Sequence, residues 1–313
     1  MEMDVKSIAR GLAENIEKVL VGKHRTVELV LTALLAGGHI LVEDVPGVGK
    51  TTLANALAKT IDCGFTRIQF TPDTLPSDVT GVSVYNMQSG SFTFSKGAVM
   101  NNIILADEIN RTSPKTQASL LEAMEESQVT VDGTTYPLPS PFMVIATQNP
   151  VDYLGTYNLP EAQLDRFMLK LSIGYPASED ECTMLALYIS AEPLNELQPV
   201  VDGETVLAMQ KAVREVGVHP DIMEYIVQVV AATRTHGSLS LGASPRASIA
   251  LAHAAQATAA IQGRDFVIPD DVKGMVAPVI YHRLVLTPEA RLGHQTAKTV
   301  MDEILSKCKV PVL

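Results

Sequence analysis

The chain predicts an α/β fold: a parallel-sheet domain over residues 1–175, followed by an all-α domain over residues 176–313. Three features predict it. An apolar stretch from Leu41 passes through Glu43-Asp44-Val45-Pro46-Gly47-Val48-Gly49-Lys50-Thr51 into a helical pattern from Leu53 to Lys59, the strand–loop–helix order of a phosphate-binding loop. Apolar strand segments alternate with helices as far as Ile173, which implies parallel strands covered on both faces. Beyond Gly174-Tyr175-Pro176 almost every run has helical spacing.

Taken in order, residues 5–20 place Val5, Ile8, Leu12, Ile16, Val19 and Leu20 close to helical spacing, and Val21-Gly22 ends that helix. A second helix over 25–36 leads into a buried strand over 39–42 that feeds the phosphate loop. Further strands are predicted at 66–70, 103–106, 143–147 and 169–173, with helices at 53–61 and 114–126 between them. Two segments break the alternation. Residues 82–94, around Ser89-Gly90, and residues 129–138, turning at Asp132-Gly133, both read as hairpins. In the second part, helices are expected over 177–191, 204–216, 220–235, 245–261 and 270–277, with a long final one over 287–306. The alanines between 247 and 260 point to close helix packing.

Composition narrows the function classes. A chain of 313 residues with 46% hydrophobic and 19% charged residues has room for two domains with a sizeable core. A formal charge of -11 opposes binding to a nucleic-acid polyanion. Cys63, Cys182 and Cys308 are an odd number without C-x-x-C spacing, favouring a reducing, cytoplasmic setting over disulfides or a thiolate zinc site. The seven histidines are scattered, and no membrane span or signal peptide is evident.

The loop carries the first chemistry. Backbone N–H groups turned inward by Gly47 and Gly49 can cradle a polyphosphate at the positive end of the next helix; Lys50 neutralises the β- and γ-phosphates and Thr51 ligates Mg²⁺. ATP or GTP is the expected ligand. Asp44 stands where the general motif has glycine, and its carboxylate is expected to turn away from the nucleotide. The apolar segment 102–106 ends in Asp107-Glu108. Asp107 would hold Mg²⁺ through water and Glu108 would polarise the water that attacks the γ-phosphate, against the plainer reading of a solvated strand end. Asn149, after another buried strand, would position that water or merely form an Asn-Pro turn. Arg166 is either paired with Asp165 or Glu161, or inserted into a neighbouring subunit's γ-phosphate site.

These motifs, with Val21-Gly22-Lys23 before them and Gly242-Ala-Ser-Pro-Arg246 after them, resemble the MoxR group of the AAA+ ATPases over nearly the whole chain. Glu43-Asp44 before Val-Pro-Gly is similar to the MoxR form of the phosphate loop. The resemblance implies that Pro46 to Thr52, including Val48, form Walker A, that Asp107 and Glu108 are Walker B, and that Asn149 is sensor 1. It makes Arg166 the arginine finger, Arg246 sensor 2, and Val21 and Gly22 the adenine contact; Arg111 is a further candidate contact across the subunit boundary. The hairpins at about 82–94 and 129–138 resemble the helix-2 insert and the pre-sensor-1 hairpin shared with magnesium chelatase ATPase subunits.

By the same resemblance the chain is expected to be a ring-forming, chaperone-like Mg-ATPase, usually hexameric, acting on partners with a von Willebrand factor A domain, in some cases to insert a metal. Two other readings stay open: a helicase-like nucleic-acid motor, which the charge and the lysine-poor hairpins oppose, and an ATP-dependent assembly switch with low turnover. Whether Arg246 acts in its own subunit or the next is left open.

Overall fold

A computed structural model describes residues 3–88, 90–149 and 156–311. Ser89, in the expected first turn, and Pro150, after Asn149, lie outside the described residues. The chain starts with helices α1 (Val5–Glu17) and α2 (His24–Ala36), strand β1 (Ile40–Glu43), α3 (Lys50–Thr60), β2 (Phe65–Gln69) and α4 (Pro76–Thr80). A ribbon of β3 (Gly81–Asn86) and β4 (Ser91–Lys96) precedes β5 (Ile103–Asp107) and α5 (Pro114–Glu126). A second ribbon, β6 (Gln128–Val131) and β7 (Thr134–Pro137), leads to β8 (Met143–Gln148), α6 (Glu161–Leu164) and β9 (Leu169–Leu171).

Strands β2, β5, β8, β1 and β9 pair in that order, all parallel. The strand before the phosphate loop therefore sits between the strand ending near Asn149 and the one following Arg166. Every residue of β5 is buried, as are the first three of β1 and the first five of β8, which explains their unbroken apolar sequence. One face of the sheet packs on a core shared with α1 to α3 and later helices; the other packs on a core containing α5 and the base of the second ribbon. Asp132 and Gly133 both have positive φ, the requirement of a tight two-residue hairpin turn. The two ribbons meet where Phe94 stacks on Tyr136, ring centroids 4.0 Å apart.

The helical part comprises α7 (Ser178–Ser190), α8 (Pro193–Glu196), α9 (Gly203–Arg214), α10 (Pro220–Thr235), α11 (Pro245–Ile261), α12 (Pro269–Ile280), α13 (Pro288–Leu292) and α14 (Ala297–Lys307). Helix α11 is its centre: buried Ala247, Ala250, Ala254 and Ala257 let neighbouring helices, α2 among them, approach closely. Two details differ from expectation. A short ribbon, β10 (Leu239–Leu241) with β11 (Val285–Leu286), crosses the helical part. The expected helix over 287–306 is two helices, because the chain breaks at Gly293-His294, with His294 at φ 56°, and restarts where Thr296 accepts the Thr299 N–H. Among the described residues no helix is long and apolar enough to cross a membrane.

Candidate nucleotide site

Helix α3 begins inside the phosphate loop, with Gly49 at φ 95° as its N-cap and Gly47 at φ 85°. A side chain would be strained at either position, and at Gly49 it would also press on Leu20 of the turn that carries Val21 and Gly22. Gly22, at φ 71°, is covered by the side chain of Asp180 from the start of α7. Lys50 donates to the Asp44 carbonyl at 2.8 Å, so its ammonium lies folded back along the loop.

The Asp44 side chain does turn from the loop. Its Oδ2 accepts from Ser172 Oγ at 2.8 Å and from the Ile173 and Gly174 N–H groups at 2.7 Å each, and Oδ1 accepts from the Val45 N–H. Burial pushes this carboxyl up, but the donors from Gly174, Ser172, Val45 and Ile173 outweigh it and hold it below the usual carboxylate range. The residue that breaks the general motif thus staples the loop to the end of β9.

A cleft of about 420 Å³ opens over the loop, lined by Pro46, Gly47, Gly49, Lys50, Thr51 and Thr52 on one side and by Arg67, Gln69, Asp107 and Glu108 on the other. Val48 packs against the core instead. The parallel register sets Gln69 beside Asp107. Asp107 Oδ1 accepts from Thr147 Oγ1 at 2.7 Å, and Oδ2 accepts from Arg67 at 2.6 Å. Glu108 has left-handed backbone angles, φ 57° and ψ 49°, a strained conformation for a residue with a side chain. Its N–H donates to Thr147 Oγ1, and its Oε2 accepts from Gln69 Nε2 at 2.7 Å with Arg111 Nε 3.3 Å away. Thr51 and Asp107 offer the hard oxygen donors that Mg²⁺ takes together with phosphates and water, and the Arg67 guanidinium on Asp107 stands where a cation suits the site.

Val21, Gly22 and Val48 are outside the cleft lining, and so are three of the four residues expected to act in catalysis. Asn149 is buried just past the end of β8. Arg166, after α6, and Arg246, in the first turn of α11, converge on Glu125 near the end of α5: Arg166 Nε lies 3.1 Å from Oε2 and Arg246 Nη1 3.1 Å from Oε1. Of the two expected surface partners of Arg166, Asp165 or Glu161, Asp165 serves other groups, accepting from Ser244 Oγ at 2.8 Å and from Arg283 Nε at 2.7 Å. Arg283 is buried and also donates to the Asp165, Phe167, Met168 and Val279 carbonyls.

Sequence reasoning missed Arg67, Gln69, Thr147, Glu125 and Arg283. Arg67 and Gln69 left a faint signal, two polar residues one apart on the strand beside β5; Thr147 was hidden inside an apolar strand. Glu125 is one of several acids on an ordinary helix.

A phosphate loop, an Asp-Glu strand end and a parallel sheet in this order define an AAA-type P-loop ATPase. Residues 39–169 match the ATPase family associated with various cellular activities (AAA), and residues 231–304 match the AAA lid domain. The chain is 39% identical to Chaperone MoxR1 of Mycobacterium tuberculosis over 98% of its own length and 83% of that protein's, and 30% identical to Protein MoxR of Paracoccus denitrificans over 86% of each. It is 53% identical to the uncharacterized protein YeaC of Bacillus subtilis over 99% of this chain and 97% of that one. A crystal structure of a candidate ATPase from Cytophaga hutchinsonii shares the fold with a TM-score of 0.92 and 39% identity, covering 98% of this chain and 96% of the other. The chain belongs to the MoxR family of chaperone-like AAA+ ATPases.

Proposed function

We propose that the chain is the subunit of a homo-oligomeric ring, a hexamer, that hydrolyses Mg-ATP to remodel or mature partner proteins, with the α/β part ending near residue 175 and the helical lid following. The distribution of charge carries this reading. The cleft gathers Lys50, Thr51, Asp107 and Glu108, while Arg166 and Arg246 stand together on Glu125 outside its lining. Arg67, the arginine in the lining, is engaged by Asp107, and arginines turned away from a subunit's own cleft suit a neighbour's, so Arg166 acts as arginine finger and Arg246 as sensor 2 across the subunit boundary.

In that assembly the loop N–H groups from Gly47 to Thr52 hold the phosphates, Lys50 leaves the Asp44 carbonyl to reach them, and Val21-Gly22 contacts the adenine. Thr51 and Asp107 hold magnesium, which when bound neutralises charge on the phosphates. Glu108 leaves Gln69, accepts the proton of the attacking water, and Asn149 positions that water. Exposed Val84, Tyr85, Met87 and Phe92 on the first ribbon suit a protein client. Neither ribbon brings a cluster of basic residues for a nucleic acid, the first having only Lys96. A partner with a von Willebrand factor A domain, in some cases receiving a metal, and a cytoplasmic location complete the reading.

The test is ATP hydrolysis against protein concentration for the wild type, Glu108→Gln and Arg166→Ala, with particle size read by light scattering in ATP. Turnover per subunit should rise with concentration, Glu108→Gln should trap a ring, and Arg166→Ala should lose on the order of a thousandfold in turnover with ATP binding kept. Turnover independent of concentration and of Arg166 would overturn the shared site. Negligible turnover in a stable ATP-bound ring would favour an assembly switch.

A further inference from the structure

We propose that Glu125 is a positioning residue for hydrolysis: its carboxylate holds Arg166 and Arg246 side by side between turnovers and delivers them to the neighbouring subunit's nucleotide as one unit. This rests on the reading that both arginines act across the boundary. Three observations support it.

The first is local. Helix α5 ends in Glu122, Glu125 and Glu126 with no basic residue in its last turn. Carboxylates at the negative end of a helix dipole are destabilising, so this placement needs an offsetting partner. Glu125 has two, one guanidinium on each oxygen.

The second is that the backbones under all three side chains are fixed. The carbonyl of Met124, next to Glu125, accepts from His39 Nε2 at 3.0 Å; His39 Nδ1 accepts the Val144 N–H, so the ring is neutral with its proton on Nε2. Around Arg166, Arg283 grips the carbonyls of Asp165 and Phe167. Ahead of Arg246, the Ser244 hydroxyl, which makes no helix-capping bond, donates to Asp165. The three anchors leave the two arginine side chains as the adjustable parts.

The third is electrostatic. Two guanidiniums meeting at one place repel, and a carboxylate between them replaces that repulsion with two attractions. Glu125 remains 37% exposed, and Arg166 and Arg246 are 30% and 44% exposed, so both pairs are weak enough to be exchanged for a more highly charged phosphate. Without the carboxylate each arginine samples its rotamers alone, and the ordered pair has to be rebuilt at every turnover.

The experiment measures kcat and KM for ATP at a protein concentration that saturates wild-type turnover. It compares Glu125→Gln, Glu125→Asp, Arg166→Ala, Arg246→Ala, and the two arginine substitutions together, with and without Glu125→Gln. Loss of two partly exposed ion pairs predicts a fall of about tenfold in kcat for Glu125→Gln, with KM little changed. Glu125→Asp, which keeps the charge on a shorter arm, should recover part of it. Adding Glu125→Gln where both arginines are already gone should cost nothing more, an outcome that a purely structural role would not give. Wild-type kcat in Glu125→Gln, or a loss that multiplies with those of the arginines, overturns the positioning role while the arginine losses stand. Wild-type kcat in both Arg166→Ala and Arg246→Ala overturns the reading beneath it.

Discussion

Replacing Arg283 by methionine tests how the lid is joined to the sheet domain. The side chain is 2% exposed and makes its bonds to five acceptors on two segments: the Asp165 carboxylate, the carbonyls of Asp165, Phe167 and Met168, and the Val279 carbonyl of α12, the helix just before it. Burial lowers the pKa of this guanidinium, and the Asp165 carboxylate works against that, so the cation depends on its partner. Methionine keeps the length and loses every donor. Breaking a buried pair by removing one member costs about 3–5 kcal/mol. Asp165 is 21% exposed and keeps its bond from Ser244, which puts the loss toward the lower end, about 3 kcal/mol. Against a total stability of roughly 5–15 kcal/mol this is a large fraction. Urea unfolding without nucleotide, followed by far-ultraviolet circular dichroism, should show the midpoint falling by a corresponding amount. A change below about 1 kcal/mol would refute the view that this guanidinium is the main polar fastening between lid and sheet domain.

Other expectations follow from the same contacts. His39 and His282 are held neutral by burial, with pKa values lowered to about 4 and about 3. Unfolded histidine protonates near 6.5, so between about pH 6.5 and 4 the unfolded chain binds more protons, and each histidine removes stability as pH falls, with a slope approaching 1.4 kcal/mol per unit; His39→Gln should flatten the measured profile by one such share. Asp44, whose pKa is also lowered, gives a contribution that is fully present above about pH 3.9 and is lost only as pH falls through its lower folded value. Asp44→Ala leaves the buried Ile173 N–H without its acceptor and should destabilise by about 1–3 kcal/mol, measured by the same unfolding; an unchanged midpoint would deny the staple. Arg67→Met removes the cation now on Asp107 and should raise the dependence of ADP affinity on magnesium, read by fluorescence of a labelled nucleotide. No change would mean that Arg67 does not compete for that carboxylate.

Much of the fold was legible because its signals are local. Helix α5 begins and ends where expected, since Ser113 caps it, Pro114 fits its first turn and its apolar spacing is regular. The phosphate loop and the acids ending β5 are contiguous in sequence, so their chemistry could be read directly. The ribbon of β10 and β11 escaped because strands of two or three residues carry no periodicity and pair across more than forty residues. The break between α13 and α14 did leave marks, Gly293 and the capping Thr296, which a continuous helical pattern obscured. The partners of the arginines were illegible for another reason. Arg283 and Asp165 are 118 residues apart, and Arg246 and Glu125 are 121 apart. Only the packed fold decides which of many acids each arginine meets.

Strand β9 gives these contacts a common mechanical basis. At its carboxyl end, Ser172, Ile173 and Gly174 are stapled to the phosphate loop by Asp44. Just before its amino end lies Arg166, in a segment gripped by Arg283 and tied through Asp165 to the start of the helix carrying Arg246. In register, Ile40, Leu41 and Val42 of β1 face Leu169, Lys170 and Leu171, so the strand is bonded along its length to the one that feeds the loop. A displacement of the loop is therefore resisted or passed on by an edge strand only three residues long, each residue paired with β1, whose amino end follows the segment that carries Arg166. The departure of Asp44 from the general motif makes sense in these terms: a glycine there would lack the bonds to Ser172, Ile173 and Gly174, whereas the carboxylate ties the phosphate loop to the strand that follows Arg166.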